Sequence, residues 1–173
     1  MTTTITGSGG VSQVQDGSIG TADFAANAIT AAKLPAGSVL QVVNSDTTTQ
    51  VAATSNSYVD TGLTAAITPS STSSKILVVV HQNGFRKEGA DTYINMRLYR
   101  AATSIQQLAV TIGYTASTAT LELGTISASY LDSPNTTSAT TYKTQFANNP
   151  ATGTITIQVN SVVSTITLIE IKG

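Results

Sequence analysis

Thirty-one threonines and nineteen serines in a chain of 173 residues leave little room for anything but β-structure. Threonine is branched at Cβ, so it loses rotamer freedom in a helix and fits the half-buried surface of a pleated strand. Apolar residues still make up 40% of the chain, enough to bury a core, whereas charged residues reach only 10%. An ordinary soluble domain carries about 25%. A chain of this length holds one modest domain, or one domain with an arm.

These proportions exclude several classes. A formal charge of -1 gives no electrostatic footprint for polyanions, so neither nucleic acid nor a membrane surface is expected as a partner. Without cysteine there is no disulfide, no thiol nucleophile and no Cys-ligated zinc. Leu, Glu and Lys are too scarce for a long coiled coil. No stretch approaches the roughly 18 apolar residues of a membrane helix. The opening Met1–Gly7 has neither the basic nor the apolar segment of a signal peptide.

Composition shifts near Gly37. Pro35-Ala-Gly37 punctuates the chain there and divides an attachment arm, 1–37, from a domain, 38–173. In the arm, Gly17-Ser-Ile-Gly-Thr-Ala-Asp-Phe24 aligns with Asn27-Ala-Ile-Thr-Ala-Ala-Lys-Leu34 at an offset of ten. The large apolar residues Ile19, Phe24, Ile29 and Leu34 therefore recur every five positions. Five residues turn about 500° around an α-helix, so the four side chains form no stripe. In a strand they would alternate between faces. Either several copies of the arm wrap a common axis and bury these side chains between chains, or a short helix over 22–32 docks on its own domain. The run Ala22-Asp-Phe-Ala-Ala-Asn-Ala28 has the propensity for such a helix.

From Ser38 onward the strand signals are dense. Val39-Leu-Gln-Val-Val43 is the first, and Tyr58–Thr68 follows, stopped by Pro69. Lys75–His81 is apolar on both faces, which predicts a central strand covered on both sides. Over 91–100 the pattern alternates: Ile94, Met96 and Leu98 face one way, Tyr93, Asn95, Arg97 and Tyr99 the other. Asn83–Ala90, with two glycines and three charges, reads as a hairpin loop. Further strands fall at about 103–114, 121–131, 138–147 and 152–172, the last as two, with turns at Ser133-Pro-Asn135 and Asn148-Asn-Pro150. No helix signal follows residue 37. The prediction is an all-β fold, a jelly-roll-type two-sheet β-sandwich carrying an extended N-terminal arm.

No chemical constellation emerges. His81, the sole histidine, ends an apolar run and reads as a hydrogen-bonded residue of the core or rim. No serine sits in a Gly-x-Ser-x-Gly elbow, and Gly7-Ser-Gly-Gly10 lacks the flanking elements of a phosphate loop. Carboxylates are spread singly. The nearest pair, Glu88 and Asp91, lies beside Arg86 and Lys87, where a solvated hairpin tip accounts for it. The chain is therefore read as non-enzymatic, with no catalytic residue, no metal and no cofactor. Interface chemistry is better represented. Tyr93, Arg97 and Tyr99 combine residue types enriched where proteins meet. Tyr142 and Phe146 form a second aromatic face on a later strand. Together with Ile19, Phe24, Ile29 and Leu34 these are the candidate partner or oligomer contacts; the alternative for the strand residues is an ordinary outer sheet face.

Gly17–Phe24 and Ala28-Ile-Thr-Ala-Ala-Lys-Leu34 resemble the short x-Ile-Thr-x-Ala-Lys-Leu units in the arms and shafts of tailed-bacteriophage fibres. Tyr58-Val-Asp-Thr-Gly-Leu63, Ile67-Thr-Pro-Ser-Ser-Thr-Ser-Ser-Lys-Ile-Leu-Val78 and Ser129–Phe146 are similar to a β-domain frequent in phage virion proteins. The resemblance runs from about residue 17 to 171. It implies a trimeric virion structural protein with a jelly-roll head and no enzymatic activity, and it carries over no functional residue. Two placements follow. In the first, the protein is a capsid decoration, or cement, protein: a homotrimer on the capsid exterior whose arm grips the major capsid protein. In the second it is a short tail fibre or tip, held by a baseplate or tail protein and recognising a host surface glycan. Opening at Met1, the chain is read as a whole gene product. Its arm spans about 120 Å when extended, which suits threading between shell neighbours. The shaft-like units favour the fibre.

Overall fold

The computed structural model describes residues 29–173, and the chain divides into two units, Met1–Leu34 and Pro35–Gly173. In the first unit the described residues form one 3-10 turn, Ala31–Lys33. It is closed by the N–H groups of Lys33 and Leu34 donating to the carbonyls of Thr30 and Ala31. Ile19 and Phe24 lie outside the described residues.

The second unit is built of ten strands: β1 (Val39–Thr47), β2 (Val51–Ala53), β3 (Val59–Ile67), β4 (Lys75–Glu88), β5 (Tyr93–Arg100), β6 (Thr103–Ile112), β7 (Leu121–Asp132), β8 (Thr140–Asn149), β9 (Thr154–Ile157) and β10 (Ser164–Ile171). One sheet runs β1-β10-β4-β9-β2, with β7 paired to β4 as well; the other runs β3-β8-β5-β6. All pairings are antiparallel.

The wiring follows one rule. Setting β2 and β9 aside, the remaining strands pair first with last: β1 with β10, β3 with β8, β4 with β7, β5 with β6. This is a single long hairpin rolled onto itself, and the rolling creates the cross-pairs β10 with β4 and β8 with β5. The result is the predicted jelly roll. β9 and β10 act as one interrupted strand along β4, pairing Thr156 with Arg86 and Thr165 with His81. Between them the chain makes an excursion through left-handed residues Gln158, Asn160 and Ser161.

The interior has two apolar clusters. Leu63, Ile67, Ile76, Val78, Val80, Leu98, Tyr142, Ile166 and Leu168 anchor one. Phe85, Ile94, Met96, Ile126, Phe146, Ile155 and Ile157 anchor the other. A belt of fully buried polar residues, Thr61, Gln82, Thr144, Gln158 and Ser164, separates them. Thr144 Oγ1 donates to Gln82 Oε1 at 3.0 Å, and Gln82 Nε2 donates to Ser164 Oγ at 3.0 Å. The Thr144 hydroxyl has one hydrogen, so the 2.6 Å contact with Thr61 Oγ1 is donated by Thr61. The belt is thus a directed chain of hydrogen bonds that crosses between the two sheets.

Two buried charges fix loops. Glu170 accepts from Ser70 N–H and Oγ, both at 2.7 Å, and from Gln41 Nε2 at 2.6 Å, pinning the β3–β4 connection. Lys87 Nζ donates to the carbonyls of Gly89, Thr115 and Ser117 at 2.8–3.2 Å, tying the β6–β7 loop to the end of β4.

Two strand expectations are corrected. Lys75–His81 is buried on one side only: Ile76, Val78 and Val80 are enclosed, Leu77 and Val79 are half-buried, and His81 is exposed. Its second face looks outward, because among the described residues this sheet is covered only by the other sheet. Asn83–Ala90 is not a hairpin loop. β4 continues to Glu88 because Gly84 adopts φ +67°, which lets the strand bulge and keep pairing. The space above Gly84 is taken by Val159 and Val162 of the excursion.

Candidate interaction surface

Alternation along β5 buries Ile94, Met96 and Leu98 and turns Tyr93, Asn95, Arg97 and Tyr99 outward, as the sequence predicts. β5 lies between β8 and β6, so this row occupies the middle of the outer face of its sheet. Pairing sets Arg97 opposite Gln145 on β8 and Gln107 on β6. Its Nε donates to Gln107 Oε1 at 3.0 Å, and its guanidinium carbon stands 4.2 Å from the centre of the Tyr58 ring. A cation at that distance from an aromatic face is held by the ring quadrupole. Gln107 is itself fixed, donating to the carbonyls of Met96 and Ala109.

Beside this group, Asp60 accepts from Lys143 at 2.9 Å and from Gln145 Nε2 at 2.6 Å. Partial burial pushes the Asp60 carboxyl up, but Lys143 and Gln145 outweigh it and hold the group below its ordinary pKa. At the other end of β5, the rings of Tyr93 and Tyr114 meet edge to face at 6.1 Å. Tyr114 donates to Asp91 Oδ1 at 3.0 Å, and that bond raises the phenol above its usual range. The surface is therefore a lattice of rings, planar amides and paired charges held in register. Sequence reading finds Tyr93, Arg97 and Tyr99 but not Tyr58, Asp60, Gln107 or Gln145, whose placement depends on strand register.

The other candidates fare differently. Tyr142 and Phe146 do not form an outer face: both are fully buried, one in each apolar cluster. Their neighbours Lys143 and Gln145 take the outward positions instead. Ile29 is exposed and Leu34 half-buried within the first unit. His81 lies exposed on the outer face of the first sheet, its Nδ1 2.9 Å from Ser127 Oγ. Glu88 pairs with Arg86 at 3.1 Å and Asp91 with Tyr114, so the two carboxylates serve separate contacts. Among the described residues no three His, Cys, Asp or Glu side chains gather as a metal-holding group. Nor is any helix long and apolar enough to cross a membrane.

No family model and no curated protein matches this chain. Among solved structures, the infectious bursal disease virus VP2 subviral particle is similar at a TM-score of 0.46 and 11% identity, over 79% of this chain. The chain spans 38% of the length of that structure's chain.

Proposed function

We propose that this chain is a non-enzymatic structural component of a phage virion that works through its surfaces. The observation that carries the reading is an ordered jelly roll following the fibre-type units Gly17–Phe24 and Ala28–Leu34 in one chain. A rigid rolled sandwich offers broad faces whose side chains are fixed by pairing, and a protein that joins other proteins needs area and fit. Within this reading the chain is a homotrimeric capsid decoration protein, with residues 1–37 as the attachment arm toward the major capsid protein.

A second placement, at the tail, is favoured by a different observation. Tyr58, Tyr93 and Tyr99 stand beside Arg97, Gln107 and Asp60 on one outer face, and rings with planar amide and carboxylate groups suit a glycan.

Imaging of purified particles separates these readings. Density repeated at the three-fold positions of the shell, with hundreds of copies per particle by quantitative mass spectrometry, is the expected result. Density confined to the tail, in a handful of copies, would move the protein to a fibre. Absence from particles would overturn both. Deleting residues 1–37 is expected to leave a folded domain that no longer joins the particle. Full occupancy by the truncated chain would remove the arm's role.

A further inference from the structure

The registers of the first sheet align Val42, Ile169, Leu77 and Leu131 in one row across β1, β10, β4 and β7. All four point away from the core. Val42 and Leu131, at the two edges, are 57% and 54% exposed, and Ile169 and Leu77 between them are half-buried. The next row is Asn44, Thr167, Val79 and Ser129, and the one after is Asp46, Thr165, His81 and Ser127. These three rows hold one carboxylate, Asp46, at the β1 edge. The opposite outer face of the sandwich carries Asp60, Arg97 and Lys143 near its middle. Lys75 flanks the apolar row on β4, and Arg86, Glu88 and Glu122 sit farther along β4 and β7, so the charges of this layer stand at its ends and edge while its middle carries none. Depletion of charge around an apolar centre distinguishes the core of a protein interface from ordinary surface.

We propose that the outer face of the β1-β10-β4-β7 layer is where a second copy of this chain docks. Four strands at about 4.8 Å spacing and eight residues at about 3.3 Å each cover roughly 500 Å². Counted on both partners, covering this face buries about 1,000 Å², the floor for a specific interface between proteins. The uncharged apolar row suits an apolar patch on a neighbouring copy, as the contact within a ring of three requires, and gives no purchase to a charged partner. The inference rests on reading the chain as a multi-copy component, and it adds the face by which the copies meet.

The chain has no cysteine, so a reporter disulfide can be placed without background. Val42 and Leu131 stand at opposite edges of the layer, about 14 Å apart across three strand spacings, beyond disulfide reach within one copy. Full-length chain carrying Val42→Cys and Leu131→Cys is expected to link into species of two or more copies under mild oxidation at micromolar concentration. A Thr141→Cys control, on the opposite outer face, is expected to stay unlinked. The inference falls if the double variant links no more than the control, or if the unmodified chain sediments as a monomer. A monomeric chain still found on particles by imaging would overturn this face and leave the virion reading standing.

Discussion

The phenol of Tyr142 donates to Asp132 Oδ2 at 2.7 Å, joining a residue of one sheet to a residue of the other. Arg100 NH1 reaches both oxygens of the same carboxylate at 2.9 Å, so one anion gathers β5, β7 and β8. Burial, and then the Asp132 charge, push the Tyr142 pKa well above its ordinary value, so the phenol stays protonated and keeps donating. Asp132→Asn removes the charge-assisted half of this node. It is expected to cost about 2 kcal/mol, because Arg100 is partly open to water and regains solvation. Tyr142→Phe is expected to cost about 1 kcal/mol. Urea unfolding of both single variants and the double variant measures the coupling, and additivity of the two losses would show that the node is not a unit.

Glu170 predicts how stability responds to acid. Burial pushes its carboxyl up, but the Ser70 hydroxyl, the Gln41 amide and the Ser70 N–H that donate to it pull it further down, so the folded pKa lies below the ordinary value. A carboxyl depressed on folding stabilises the native state above its unfolded pKa of about 4.3, and that contribution is lost as pH falls through the lower folded value. Stability is therefore expected to hold from neutral pH to about 5 and to fall below it. Glu170→Gln is expected to be about 2 kcal/mol less stable than the parent at pH 7, with the gap narrowing toward pH 3. Denaturant midpoints at both pH values decide this, and a gap that is constant with pH would refute the assignment.

The wrapped sandwich is legible in the sequence because its strands alternate cleanly and its turns carry Pro, Asn and Gly. β5 shows this best: Ile94, Met96 and Leu98 fall on one face by period alone, and the structure buries all three. The same period, applied to Tyr142-Lys-Thr-Gln-Phe146, puts Tyr142, Thr144 and Phe146 together and Lys143 with Gln145 opposite. Lys143 then marks the outward side, so the burial of the two aromatic residues was readable from that charge. Other features have no local signal. Gly84 looks like a turn glycine, and only the partner strand shows that it permits a bulge inside β4. The row Val42, Ile169, Leu77 and Leu131 draws on four strands distant in sequence. Its existence depends on register, which composition and period leave open.

Two glycines with similar backbone angles separate the cost of conformation from the cost of contact. Gly124 and Gly153 have φ of +80° and +70°. A Cβ on Gly124 meets nothing, whereas one on Gly153 overlaps the carbonyl oxygen of Glu88 and crowds the backbone of Gly89. Gly124→Ala is expected to cost about 1 kcal/mol, the penalty of a left-handed alanine. Gly153→Ala must also push two backbone segments apart and is expected to exceed about 3 kcal/mol. Thermal unfolding of the pair checks the order, and equal losses would mean that the contact at Gly153 relaxes freely.

The polar belt offers the sharpest contrast between chemistry and volume. Thr144 Oγ1 accepts from Thr61 and donates to Gln82, and all three residues are fully buried. Thr144→Val keeps the shape of the side chain and removes both roles. It leaves the Gln82 carbonyl oxygen short of a partner in the space between two apolar clusters, whereas the Thr61 hydroxyl keeps the Thr144 carbonyl as its acceptor at 3.2 Å. An unpartnered buried polar group costs about 1–3 kcal/mol, and with one such group the expected loss is about 2 kcal/mol despite the gain in hydrophobicity. Thr144→Ser keeps the hydroxyl and gives up one methyl, for an expected loss near 1 kcal/mol. Denaturant unfolding ranks the two. Valine tolerated better than serine would mean that the belt is a packing feature and that its hydrogen bonds contribute nothing to holding the sheets together.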